Sequence, residues 1–294
     1  MRKRSAPSSS PTSRSTGKSE PRSPAPLAPP PRPRAPVAAS PSPPRPRAPV
    51  VPGEIGGPWL WGRHAVLAAL ANPARKLLRL VATEDNAAEL QALGGPAPQI
   101  LGKDELQRLL PPSAVHQGMA LVAKPLRPLG IEDVIEGLDG RADAVVVVLD
   151  QVTDPHNIGA VLRSAAAFGA AALIVPDRNA PDISGTLAKS ASGAVEHVPL
   201  VRVVNLNRTL DQLKKAGFWT VGLDGAAERT LASHKLSGRV CLVLGSEGEG
   251  MRRLTRESCD LMAKLPTGGP IASLNVSNAA AIALYELVRK GDTA

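Results

Sequence analysis

Ala144–Leu149 reads AVVVVL, an unbroken and largely β-branched run that predicts a strand buried on both faces. Beyond it, short apolar stretches alternate with segments of helical spacing. The pattern predicts helices over 158–168, 184–191, 206–216 and 276–289, and strands over 171–175, 198–201, 219–223, 240–244 and 261–265. Such alternation implies a mostly parallel sheet covered by helices. Upstream, Ala65, Val66, Leu67, Leu70 and Ala71 recur near helical spacing and predict a helix over 59–71. Strands over 77–81, 99–101 and 119–123, with helices over 87–93 and 104–110, complete a smaller α/β module. Lys124-Pro125-Leu126-Arg127-Pro128 then interrupts the rhythm with two prolines and reads as an interdomain linker. No internal repeat is visible.

Before residue 58 the pattern vanishes. Residues 1–57 hold more than half of the 30 prolines, and ten Lys/Arg face only Glu20 and Glu54. That is a charge of 10 − 2 = +8 out of a total of +9, so the basic pI of 10.0 belongs to this segment and the rest sums to 9 − 8 = +1. A stretch of this composition cannot bury a core and is expected to be a disordered basic arm. Its Arg- and Ser-rich, acid-poor composition also fits a mitochondrial-type targeting peptide, but the proline density opposes the amphipathic helix such peptides need. The division expected is therefore a tail over 1–57, a small α/β domain over 58–125, a linker over 126–142 and a larger domain over 143–294. No run reaches membrane-spanning length, and no secretory signal is visible. Cys241 and Cys259 lack metal-ligand spacing and fit structural thiols in a reducing cytoplasm. The five histidines form no ligand pattern either, so no metal is expected.

Three polar segments stand where predicted strands end, and in parallel sheets ligands bind beyond the carboxyl ends of strands. The first is DQVTDPHNIGAVLR, 150–163. Thr153, Asp154 and Asn157 suit a helix cap, with Pro155 setting the turn. Arg163 lies off the apolar face formed by Ile158, Val161, Leu162, Ala165 and Phe168, among Ala160, Ser164, Ala166 and Ala167. Its guanidinium is either a solvated surface group or open to a phosphate or a second backbone. The second segment, Gly245-Ser246-Glu247-Gly248-Glu249-Gly250, matches neither GxGxxG nor a phosphate-binding P-loop. Its two carboxylates disfavour phosphate and suit a cationic ligand such as a sulfonium carrying an ammonium group, or else a plain flexible turn. The third, LPTGGPIASLNVSN, 265–278, gathers Ser273, Asn275, Ser277 and Asn278 at one helix entrance, where a cap needs a single such residue.

DPHNIGAVLRSA, LVLGSEGEGMRRLT and LPTGGPIASLNVSNAAAIALYE together resemble the three motifs of SpoU-type RNA ribose 2′-O-methyltransferases of the SPOUT group. WGRHAV and VHQGMALVAKP resemble the substrate-binding domain of the bacterial 23S rRNA guanosine methyltransferases. The likeness runs through nearly all of residues 59–290.

The resemblance implies an α/β knot: a mostly parallel sheet with a carboxy-terminal trefoil knot, one of the rare exceptions to unknotted topology. It implies S-adenosylmethionine as methyl donor, with Gly245, Leu265 and Leu274 at cofactor-binding positions. Asn157, Arg163, Glu247, Ser273 and Asn275 fall on the polar catalytic set. A homodimer with sites at the subunit interface, and 23S rRNA or the pre-ribosomal large subunit as partner, follow from the same likeness. With six aromatics in the chain, RNA recognition is expected to rest on shape, phosphates and hydrogen bonds rather than on stacking. Two other readings stay open: a tRNA or different rRNA ribose as acceptor, and a non-catalytic RNA-binding assembly factor. Intact Arg163, Glu247 and Ser273-Leu274-Asn275 weigh against the last.

Overall fold

The computed structural model describes residues 57–93, 96–270 and 273–289. The basic arm expected over 1–57 lies outside the described residues apart from Gly57.

The smaller module runs β1 (Trp59–Trp61), α1 (Arg63–Ala71), β2 (Leu77–Ala82), α2 (Glu84–Ala92), β3 (Gln99–Ile100), α3 (Lys103–Arg108) and β4 (Met119–Ala123). Its four-stranded sheet has the order β1-β4-β2-β3, with β4 antiparallel to both neighbours and β3 parallel to β2. The helix expected over 59–71 is corrected here. Gly62 sits at φ 89°, which an α-helix does not admit, so Trp59-Leu60-Trp61 become an edge strand and the helix starts at Arg63. Both tryptophans are buried, which removes them as stacking platforms.

The larger module runs from β5 (Ala144–Leu149) through α5 (Pro155–Ala167), β6 (Ala172–Pro176), α6 (Gly185–Ala191), β7 (Leu200–Val203), α7 (Leu206–Lys215) and β8 (Trp219–Leu223). It ends with β9 (Arg239–Leu244), α8 (Arg253–Glu257), β10 (Leu261–Ala263) and α9 (Val276–Arg289). All pairings in its six-stranded sheet, β10-β8-β9-β5-β6-β7, are parallel. Helices cover both faces, so Val146, Val147, Val148 and Leu149 are fully buried, as the apolar run requires. A further short helix between β4 and β5, α4 (Ile131–Glu136), falls within 126–142. It buries Ile131 and Val134 against the core of the larger sheet, so the stretch after Pro128 is structured rather than open chain.

The two modules belong to one compact unit. At their junction Trp61 lies so close to Gly185 that a Cβ there would meet the indole at 1.9 Å. Nearby, the Arg75 guanidinium forks onto Glu196, from Nε at 3.1 Å and from a terminal nitrogen at 2.6 Å. Asn72 also donates to Glu196 at 2.8 Å, and Arg75 donates to the Lys124 carbonyl at 3.0 Å. The side chains of this pair are 3% and 0% exposed, and every group in the cluster is satisfied.

Candidate active site

Strand register brings the polar loops together. Leu149 of β5 pairs with Leu244 of β9, Leu244 with Leu223 of β8, and Leu223 with Ala263 of β10. Four neighbouring strands therefore end at one level, and Asp150, Asp224, Gly245 and Lys264 leave the sheet along one rim. A cleft of about 370 Å³ opens there, lined by Leu223–Gly225, Leu244–Met251, Leu265, Thr267, Ser273, Leu274, Val276 and Ala279. That volume falls within the ~300–1,000 Å³ usual for small-molecule sites.

The 245–250 loop is a tight hairpin closed by Ser246 and Gly250, which exchange backbone hydrogen bonds at 3.1 and 3.0 Å. Gly245 is required at its base: a Cβ would lie 2.0 Å from the Gly250 carbonyl carbon. The first strand exit holds this loop from below. Asp150, wholly buried, accepts from the Arg252 backbone N–H at 2.9 Å and from its Nε at 2.8 Å. Gln151, in the left-handed region at φ 62°, donates to the Gly250 carbonyl at 3.3 Å. Neither residue was singled out in the sequence as part of the site. The signal available was a carboxylate directly after an all-apolar strand, a place where burial of the charge demands a partner.

Of the expected catalytic set, three residues meet. Asn275 donates through Nδ2 to Asn157 Oδ1 at 3.1 Å and to Glu247 Oε2 at 3.3 Å. Its own Oδ1 accepts from the Ser277 backbone N–H at 2.9 Å and from the Ser277 hydroxyl at 2.6 Å, so its amide is fixed in orientation. The helix entrance thus spends Asn275 and Ser277 on one another and on the two other motifs. Asn157 is free for this because Asp154 caps α5, accepting from the His156 backbone at 2.9 Å, with Pro155 at the first helical position. The His156 ring pairs with the Ser190 hydroxyl at 3.1 Å, away from the Asn275 cluster's partners.

Ser273 and Leu274 are exposed and line the cleft, as do Gly245 and the half-buried Leu265. Arg163 stands apart. It is exposed on α5 and makes no hydrogen bond or ion pair among the described residues; the partner of Glu247 is Asn275. Close by, α5 packs on α9, where Phe168 meets Tyr285 edge-on with ring centroids 6.3 Å apart, while Ile282, Tyr285 and Val288 remain substantially exposed.

The cleft's lining suits a cationic ligand with an apolar part. Backbone groups of two glycine-containing loops face it, Leu265 and Leu274 supply apolar cover, and Glu247 and Glu249 supply negative charge, the Asp224 carboxylate being paired with Arg256. Nucleophilic sulfur chemistry is disfavoured: burial pushes Cys259 up to about 11 and Cys241 well above its ordinary value. Among the described residues no three His, Cys, Asp or Glu gather as a metal site, and no helix is long and apolar enough to cross a membrane.

Residues 144–285 match the model of the SpoU rRNA Methylase family, and residues 59–129 match that of the RNA 2′-O ribose methyltransferase substrate-binding domain. The 23S rRNA (guanosine-2′-O-)-methyltransferase RlmB of Photobacterium profundum is 42% identical over 239 residues, 79% of this chain and 97% of that protein. The Escherichia coli K12 enzyme of the same name is 48% identical over 177 residues, 60% of this chain and 73% of that one. Among solved structures, the SpoU methyltransferase AviRb of Streptomyces viridochromogenes in complex with AdoMet superposes with a TM-score of 0.67 at 27% identity, covering 81% of this chain and 91% of that one. Three motifs converging on one rim, two matched domain models and near-complete coverage of such relatives have one meaning: the chain belongs to the SpoU rRNA methylase family.

Proposed function

We propose that this protein transfers a methyl group from S-adenosylmethionine to the ribose 2′-hydroxyl of a guanosine in 23S rRNA. The observation that carries the reading is the hydrogen-bonded meeting of Asn157, Glu247 and Asn275, one from each motif, beside a cleft suited to the donor. The guanosine of 23S rRNA follows from relatives that match this chain across both domains.

S-adenosylmethionine, when bound, supplies an electrophilic methyl on a sulfonium. Gly245, Leu265 and Leu274 would hold it, with the loop carboxylates balancing its positive charge. The protein's task is to align the 2′-oxygen with that methyl and to assist loss of its proton. Asn157 and Asn275 are rigid enough to position ribose or donor, since Asn275 is locked from both ends. Arg163 carries an exposed guanidinium with no hydrogen bond or ion pair among the described residues, and its planar fork suits an anion. Its role here is to bind the phosphate next to the reacting ribose and to stabilise oxyanion charge, with the proton leaving through that phosphate. Ser273, exposed beside the cleft, completes the set as a hydrogen-bonding group for the reacting nucleotide.

The same reading includes a homodimer in which a second copy covers the exposed face of α5 and α9, bringing Arg163 into the partner's site. It includes the family's carboxy-terminal knot, an RNA-binding domain over 58–125, a connector over 126–142, a methyltransferase domain over 143–294, and action in the cytoplasm.

The test is transfer of labelled methyl to 23S rRNA taken from a strain that lacks the protein, followed by mapping of 2′-O-methyl sites. One new guanosine ribose is expected. Transfer confined to tRNA, or to a base atom, would overturn the assignment. Sedimentation of the purified protein at twice the chain mass is expected; a monomer that is fully active would remove the shared site.

A further inference from the structure

The small module carries a cleft of about 800 Å³ that no step of the proposed reaction uses. Its wall is formed by the start of α2, the β3–α3 turn and the loop 114–118. In that loop Gln117 and Gly118 both take positive φ, 53° and 80°, and fold the chain back on His116. The Gly118 N–H donates to His116 Nδ1 at 3.0 Å. His116 is only 4% exposed, yet its Nε2 has no partner among the described residues, and the ring lines the cleft. Burial, then the charge of Lys103, pushes its pKa down, which keeps the ring neutral at neutral pH. With Nδ1 accepting, the single proton resides on Nε2. The ring is otherwise buried, and Nε2 is the part that opens on the cleft, an N–H held in one place with no protein acceptor among the described residues; it offers a fixed donor to an acceptor arriving from outside the chain.

The surrounding groups narrow the ligand. Asn86 donates to the Thr83 hydroxyl at 2.8 Å, and Gln107 donates to the Pro111 carbonyl at 3.0 Å, so each amide keeps its oxygen as an acceptor. Lys103 adds a second donor at the cleft. Ile100 and Val115 flank it with 50% and 65% of their surface exposed, an unusual concentration of bare β-branched side chains. Apolar flanks around a mixed set of donors and acceptors suit a flat ring with polar edges. Glu84 and Asp85 at the same opening repel phosphate, so the sugar–phosphate backbone is the wrong ligand here. Unpaired bases, splayed out of loops and bulges, are what sequence-specific RNA readers take up.

We infer that this cleft receives one unpaired nucleobase of the RNA substrate, with His116 Nε2 and Lys103 donating to its edge and Ile100 and Val115 covering its faces. The inference rests on the proposal that the chain acts on RNA. It adds a reading site separate from the methyl-transfer cleft, one that selects the RNA by a base other than, or in addition to, the target guanosine.

The experiment uses the full chain and in vitro transcribed 23S rRNA. Val115→Asp and Lys103→Ala alter exposed side chains and should leave the melting temperature unchanged, whereas His116→Phe keeps the ring's bulk but deletes both its N–H and the Nδ1 acceptor of Gly118, so its melting temperature is read alongside. KM for rRNA should rise about tenfold in Val115→Asp and His116→Phe and about threefold in Lys103→Ala, with kcat at saturating RNA and S-adenosylmethionine affinity unmoved. A benzophenone photocrosslinker placed at position 115 should label one unpaired nucleotide. Unchanged KM in all three variants, or crosslinks scattered along paired helices, would overturn the inference. Crosslinking needs binding without turnover, so the two proposals separate: a wild type that labels one unpaired nucleotide but methylates nothing would keep this cleft and lose the reaction assigned above.

Discussion

The two clefts of this protein are built on opposite plans. The one at the rim of the parallel sheet is nearly self-satisfied. Asn275 is hydrogen-bonded at both ends of its amide, the 245–250 hairpin is closed by its own backbone, and the loop's base is tied to buried Asp150. The one in the small module presents, among the described residues, an unpaired histidine N–H opening on the cleft and two exposed β-branched side chains. A preorganised rim suits chemistry, where donor and acceptor must be held in one geometry. Unpaired groups suit recognition, because a mismatched ligand leaves them unsatisfied and is rejected. Arg163 belongs with the second kind although it sits in the larger module with the rim: it has no partner among the described residues, and a bound phosphate is what would complete it.

If the two clefts must work at a fixed separation, the junction between them carries the largest effect. Glu196→Ala leaves the Arg75 guanidinium buried without its carboxylate, and loss of one partner of such a pair costs about 3–5 kcal/mol. Denaturant unfolding should show that loss. Methylation of intact rRNA should fall more than S-adenosylmethionine binding does, and equal losses would mean the junction only holds the fold together. Arg163→Ala comes next. Turnover should drop by ~10²-fold or more, while calorimetric S-adenosylmethionine affinity and melting temperature stay put, because the exposed side chain makes no hydrogen bond or ion pair among the described residues. Lost cofactor affinity with the fold intact would move Arg163 into the donor site.

Gly245→Ala tests how rigid the rim is. The new methyl group would collide with the Gly250–Met251 backbone, and overpacking of this kind costs about 1–3 kcal/mol. S-adenosylmethionine affinity should weaken by about tenfold with rRNA affinity unaffected; an unchanged affinity would show that the hairpin is loose. The smallest effect lies outside both clefts. Deleting residues 1–56 removes about eight of the nine net positive charges and none of the motif residues. RNA affinity should fall a few-fold at moderate salt, and the slope of log affinity against log salt should become shallower. The methylated nucleotide should stay the same. An unchanged slope would mean the arm does not touch RNA, and a lost site would give it a share in specificity.

Local pattern made most of the chain legible. Every strand and helix expected from 77 onward lies within a few residues of its observed position, because period and β-branching are short-range properties. Failures were local conflicts. Trp59–Trp61 continued an apolar stretch that fits a helix, and only the positive φ at Gly62 and the pairing with β4 made it a strand. Ile131–Glu136 and Arg253–Glu257 are helices too short to show a period. In the site, the loops were readable as polar excess at strand ends, whereas Asp150 and Gln151 were hidden, since their partners lie 102 and 99 residues away.

By itself, then, the sequence determined the order of elements, the three polar loops and the likeness to a family, all of which reside in contiguous residues. Tertiary structure decided which of those residues meet. Register along four parallel strands brought their exits to one level, and with α5 packed on α9 it sets Asn157 against Asn275 across 118 positions of chain. It also chose which polar groups are spent and which stay open: Glu247 is taken by Asn275, Arg75 by Glu196, while Arg163 and His116 Nε2 have no partner among the described residues. A hydrogen bond between distant residues has no period and no propensity, so its existence depends on packing that no local window of sequence contains.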